Sequence, residues 1–144
     1  MPEASRTISI SVPPERAFAF FTDPGNDQTW RGGIKEIAAA GPPRVGSQVH
    51  QVVSGPGGRS IAADIEITAY EPPSRYAFHG IAGPVRPEGE YRFAPNASGG
   101  TDVTFSLAAK LNPLMGLFMG GQVQRTMSAE MASLDKAKAV LEAG

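Results

Sequence analysis

The chain contains no cysteine. Disulfides, thiolate metal sites and cysteine nucleophiles are excluded together. An excess of either charge is also missing. Thirteen Lys and Arg stand against fourteen Asp and Glu, a formal net charge of −1. That balance gives no support to a nucleic-acid partner or an anionic membrane surface, and the basic residues are scattered without the aromatic interleaving of single-strand binders. No apolar run approaches the ~18 residues needed to span a bilayer, so no stable membrane insertion is expected. The N-terminal MPEASRT has no signal-peptide core, and a cytoplasmic location is the expectation. Histidine is scarce. His50 and His79 sit in no metal-spaced cluster and beside no obvious acid, so no metal is expected, and alternation turns both toward solvent. No nucleophile elbow, phosphate loop or dinucleotide fingerprint is present, and no cofactor is expected. The stretch GPGGRS at 55–60 lies between two strands and reads as a hairpin.

What is present begins at the C-terminal end. Asn112 and Pro113 form a helix-start signal. Apolar residues then recur at helical spacing: Leu114, Leu117, Phe118, Met127, Met131, Leu134 and Leu141. Roughly 30 helical residues span about 45 Å, against a radius of gyration of about 15 Å for a chain of this size. The helix must therefore cross the whole molecule. Upstream, Thr7 to Val12 alternates as a half-buried strand, and Pro13-Pro14-Glu15 opens a short helix that Asp23-Pro24 ends. A loop or second short helix follows around Trp30. Strands are expected at 34–40, 47–54, 61–70, 74–80, 89–94 and 101–110, separated by Gly- and Pro-rich turns. Strands joined by tight turns are antiparallel, and their apolar face needs a cover that only the C-terminal helix is large enough to supply. The chain reads as one domain, 1–144.

The order of these elements, with three passages, resembles the START/polyketide cyclase (SRPBCC) superfamily, whose helix-grip fold is shared with the major birch-pollen allergen. The first passage is Val12-Pro13-Pro14-Glu15-Arg16-Ala17-Phe18 with Asp23-Pro24 and Trp30. The second is Val45-Gly46 followed by Tyr70-Glu71-Pro72-Pro73-Ser74-Arg75-Tyr76-Ala77-Phe78. The third is Tyr91-Arg92-Phe93-Ala94-Pro95 with Gly99-Gly100-Thr101-Asp102-Val103-Thr104-Phe105. The resemblance implies an α+β fold: an antiparallel six- to seven-stranded sheet wrapped around a long C-terminal helix, with one or two short helices after the first strand. It also implies a cavity between sheet and helix. The family includes lipid and hormone carriers, aromatase/cyclases, quinone-binding proteins and chaperone activators, and fold alone does not choose among them.

Alternation and helical phase give the expected lining of such a cavity: Val49, Val53, Ile65, Ile67, Tyr76, Phe78, Tyr91, Phe93, Phe105 and Leu107 from the sheet, and Met115, Phe118, Met119 and Met127 from the helix. Trp30 joins them, since the resemblance places its region at the cavity mouth or under the helical cover. Tyr76 and Tyr91 are the polar candidates; each hydroxyl meets either a ligand oxygen or a backbone carbonyl. Asp23, Asp27 and Glu36 form no carboxylate pair of defensible spacing, and Asp64 and Glu66 share a wet strand face. Three glycines within six residues, Gly116, Gly120 and Gly121, cost helix stability. Close packing on the sheet, a loose gating turn and a lipid-touching apolar tip are the alternatives. The expected function is binding of a small, largely apolar ligand (lipid, polyketide or aromatic metabolite), because no acid/base pair points inward. A polyketide cyclase/dehydratase-type enzyme using the same cavity and a protein–protein adaptor are the alternatives, and a homodimer remains open.

Overall fold

The computed structural model describes residues 2–144. β1 (Glu3–Ile10) leads into α1 (Pro14–Thr22) and a 3₁₀ turn (Pro24–Thr29). β2 (Ile34–Ala39), β3 (Gln48–Ser54), β4 (Ser60–Ala62), β5 (Ile65–Glu71), β6 (Arg75–Gly80), β7 (Glu88–Pro95) and β8 (Thr101–Ala108) follow, and α2 (Pro113–Ala143) ends the chain. Every strand pair is antiparallel. Seven strands run in the order β1-β8-β7-β6-β5-β3-β2, with β4 paired to β3 off that path. This is the helix-grip architecture: a curled sheet closed on one face by a long helix.

α2 starts where its cap predicts, with the Met115 amide donating to Asn112 Oδ1 at 2.8 Å. It buries Val123, Met127, Met131, Leu134, Ala137 and Leu141 at successive three- and four-residue steps. Its nearest neighbour in the sheet is β1. Side-chain ties hold its second half. Arg6 Nη2 donates to Asp135 at 2.6 Å, Arg16 Nη2 to the Leu141 carbonyl at 3.2 Å, and the Ser11 amide to Glu142 at 2.9 Å.

Two expectations about strands need correction. β1 starts four residues before Thr7 and stops at Ile10, because β8 pairs with it from Glu3↔Ala108 to Ile10↔Thr101. Partner length, not apolar alternation, sets its start. The single strand expected over 61–70 is two strands, β4 and β5, broken at Ala63-Asp64. The Asp64 carboxylate accepts from the Gln51 amide at 3.1 Å and Gln51 Nε2 donates to the Ala63 carbonyl at 2.9 Å, so side chains supplement the one backbone bond there, Ala63 N–H to the Gln51 carbonyl at 2.9 Å. A register shift between Ile67 and Ala69 then turns Tyr70 inward, off the outer face that strict alternation from Asp64 and Glu66 would give it. Tyr70 packs edge-on against Phe18, ring centroids 5.3 Å apart. His50, expected beside no acid, has its Nδ1 3.0 Å from Asp64 Oδ1 on the outer surface.

Candidate functional site

The inner sheet face and α2 do not meet along their whole length. Between them lies a hollow of about 270 Å³. Most of the residues expected to line it do so: Val49, Val53, Ile65, Tyr76, Phe78, Tyr91, Phe105, Leu107, Met119 and Met127. Its floor is aromatic. Tyr91 and Phe105 stack at 4.2 Å with planes 2° apart, and Tyr76 lies 6.0 Å from Tyr91. Phe78 covers Gly89 on the neighbouring strand. A Cβ at position 89 would come within 2.2 Å of the Phe78 ring, so only glycine lets that ring lie flat on β7.

The structure places the other five elsewhere. Ile67 and Trp30 are sealed in the core at 1% and 2% exposure. Trp30 packs edge-on against Phe21 at 5.4 Å. Phe93 is wedged between Phe18 and Phe21, under α1. Met115 sits half-buried one turn before the hollow begins at Met119. Phe118 is 77% exposed. Nine residues separate it from Met127, which at 3.6 residues per turn puts the two on opposite sides of the helix.

One end of the hollow is polar, and sequence reasoning missed it. Arg31, just past the 3₁₀ turn, holds Glu130 of α2 through Nε and Nη2, each at 3.0 Å. Its Nη1 donates to Asp27 Oδ2 at 3.0 Å and to Gln51 Oε1 at 2.9 Å. Of the five guanidinium N–H groups, these bonds leave one on Nη2. Asp27, Arg31 and Glu130 side chains are only 15%, 15% and 18% exposed. Asp27 Oδ1 and the Trp30 indole N–H are buried with no partner among the described residues. The signals were present. Asp27 and Arg31 stand four apart, Gln51 occupies the inward phase between Val49 and Val53, and Glu130 falls in the α2 stripe of Val123, Met127 and Leu134. A polar residue in an apolar phase is the informative kind of burial.

Burial pushes the Asp27 carboxyl from 3.8 up to about 6; Arg31 opposes the rise, and the charges of Glu130 and Asp23 add to it. Burial alone would lower Arg31, but Glu130 and then Asp27 reverse that and hold it firmly charged. Burial, then the Asp27 charge, raises the phenols of Tyr76 and Tyr91 above the ordinary range, so both are neutral donors at physiological pH. Neither hydroxyl has a hydrogen-bond partner among the described residues, nor is either sealed off. The backbone-carbonyl bond considered for them is not made. The hollow thus combines an aromatic floor, two hydroxyls without a partner among the described residues and a titratable carboxyl held against a guanidinium with four of its five N–H groups engaged. Among the described residues no cluster of metal-ligating side chains occurs, and no helix is long and apolar enough to cross a membrane.

A helix-grip sheet around a partly polar hollow defines a class of small-molecule cavity proteins. The chain belongs to the polyketide cyclase / dehydrase and lipid transport family, whose pattern it matches over residues 1–142. Its fold is similar to that of TTHA0849 from Thermus thermophilus (TM-score 0.81, 20% identity, 99% of this chain and 98% of that one). DR_A0006 from Deinococcus radiodurans is similar too (0.73, 18%, 100% and 99%). So is the di-domain ARO/CYC StfQ from the steffimycin biosynthetic pathway (0.81, 14%, 98% of this chain and 50% of that one). No curated protein sequence matches the chain.

Proposed function

We propose that this protein binds a small, largely apolar, uncharged molecule in the hollow beneath α2, with one polar group of the ligand at the Tyr76 and Tyr91 hydroxyls. The observation that carries this reading is a cavity of about 270 Å³ whose floor is aromatic and whose two tyrosine hydroxyls have no partner among the described residues. Removing apolar ligand surface from water supplies the driving force, about 25 cal/mol per Å². The hydroxyls set orientation, as the few polar groups of such sites do. The volume lies at the lower edge of the range for small-molecule sites, roughly 300–1,000 Å³, which suits a bicyclic aromatic or short chain rather than a two-chain lipid. Charge argues for a neutral ligand. With Asp27 and Glu130 ionised around Arg31, the polar end carries a net −1, and the guanidinium keeps only one free N–H, too few for a two-pronged grip on an incoming carboxylate.

Native mass spectrometry of freshly purified protein tests this reading. A co-purified small molecule, or saturable one-to-one uptake of an apolar dye, is expected. Failure of both to appear would overturn it.

One observation favours an enzyme of the cyclase/dehydratase type as the second reading. Asp27 is a buried carboxyl held near 6, in the wall that also carries Tyr91, and a carboxyl poised near neutrality is suited to moving protons. The similar StfQ is described as a di-domain ARO/CYC of a biosynthetic pathway. Under this reading Asp27→Asn abolishes turnover and leaves ligand binding intact; under the carrier reading no turnover exists to lose. A protein–protein adaptor would pair a filled core with a large apolar patch outside; the exposed start of α2 supplies an apolar patch, whereas the hollow leaves the core unfilled.

A further inference from the structure

The first three turns of α2 differ from the rest of that helix. Leu114, Leu117 and Phe118 are 66%, 78% and 77% exposed. A Cβ added at Gly116 or Gly120 meets nothing within 4 Å, and one at Gly121 meets only the tip of Arg125. Close packing of these glycines on the sheet, one of the three readings of the sequence, is therefore wrong. Among the described residues, the first side-chain hydrogen bond from α2 to the rest of the fold is made by Gln124, with Glu3. An apolar surface of this kind, unpaired and flanking a cavity, calls for a partner.

The surrounding charge says which one. Three segments bring lining residues to the same hollow: 54–63 (Ile61, Ala62), 80–87 (Pro84, Val85) and the start of α2 (Met119, Val123). Segments 54–63, 80–87 and 110–125 contain Arg59, Arg86, Lys110 and Arg125 and not one carboxylate, in a chain with fourteen. All four cations are exposed, and none makes an ion pair among the described residues. The bounding acids are engaged elsewhere: Asp64 pairs with His50, and Glu88 lies in a groove on the outer sheet face with Glu3 and Arg75. The net charge of −1 conceals this local excess of four positive charges.

We propose that the mouth of the hollow docks reversibly on an anionic lipid bilayer, with Leu114, Leu117 and Phe118 entering the headgroup boundary and Arg59, Arg86, Lys110 and Arg125 facing the lipid phosphates. Apolar side chains ringed by cations are what an interfacial anchor requires. This surface is independent of the ligand in the hollow, although a bilayer is where an apolar ligand partitions.

Co-sedimentation with vesicles decides the matter, using phosphatidylcholine alone and phosphatidylcholine mixed with phosphatidylglycerol. Binding to the mixed vesicles only, weakened by salt, is expected. Arg59→Gln with Arg86→Gln should weaken it by about five-fold per cation removed. Leu117→Ser with Phe118→Ser should abolish it, while thermal unfolding stays cooperative and dye uptake in detergent-free buffer is retained. Absence of binding to the mixed vesicles, equal binding to phosphatidylcholine alone, or full binding by the serine variant would each overturn the proposal. So would a solution dimer that the serine variant dissociates and that ignores vesicles, since that makes the face a contact between two copies.

Discussion

The Arg31 guanidinium and the Glu130 carboxylate, 99 residues apart in the chain, meet through two parallel hydrogen bonds at 3.0 Å. This fork joins the loop after α1 to the middle of α2 at the polar end of the hollow. It holds α2 in place where the aromatic floor gives it nothing to pack on. Two-pronged arginine–carboxylate pairs are the strong and directional ones, and this pair sits largely out of water.

Removing the arginine leaves two carboxylates uncompensated. Arg31→Met should destabilise the protein by about 3–5 kcal/mol, the cost of an orphaned buried charge. Chemical denaturation at neutral pH checks it. Adding Glu130→Met to that variant should recover part of the loss, because the orphaned charge is then gone.

Stability should respond to Asp27 with a definite sign. Its carboxyl is held at about 6 when folded against an ordinary 3.8. The folded state therefore binds the extra proton between those values. The preference stabilises below about pH 4 and is lost as pH rises through about 6, a difference of about 3 kcal/mol. Carboxyls held low elsewhere, Glu90 and Asp102 among them, impose the opposite slope at lower pH. The readout is therefore the difference between wild type and Asp27→Asn. That difference should move by about 3 kcal/mol against the wild type from pH 3 to pH 7. A flat difference would mean that Asp27 is not buried as described.

Gly89→Ala tests the floor of the hollow. The new methyl would overlap the Phe78 ring, and the ring must swing into the empty space above it. A stability loss of about 1–3 kcal/mol is expected, with weaker uptake of an apolar dye. Phe78→Ala in the same background should restore uptake.

Gly116→Ala and Gly120→Ala should each stabilise the protein by about 0.5–1 kcal/mol, since nothing obstructs a Cβ at either site. A higher melting temperature checks this. If dye uptake slows at the same time, the loose start of α2 also gates the hollow.

The architecture was legible because its signals are periodic. The two-residue alternation of β8 and the helix start at Asn112-Pro113 each name one structure. The lining was legible on strands, where alternation fixes the side of Val49, Tyr76 and Phe105. It was less so on α2. Phe118 follows the apolar pattern of the sequence, yet it points away from Met127 because the pattern widens at the glycine-rich start. Tyr70 was lost to a register shift that no local residue marks. The polar end was missed for a different reason. Arg31, Gln51 and Glu130 come from three distant segments, and their meeting is a product of topology. Gln51 and Glu130 each broke an apolar phase in their own segments, and Arg31 stood four residues from Asp27; those were the available clues.

The most direct test of the central claim is a calorimetric titration at neutral pH with 2-naphthol and with 2-naphthoate, ligands of like shape, the first neutral and the second anionic. The account predicts one saturable site for the naphthol per chain and at least about ten-fold weaker binding of the carboxylate, a difference of about 1.4 kcal/mol. Tighter binding of the naphthoate, or no binding of either, would contradict a hollow built for a neutral apolar ligand.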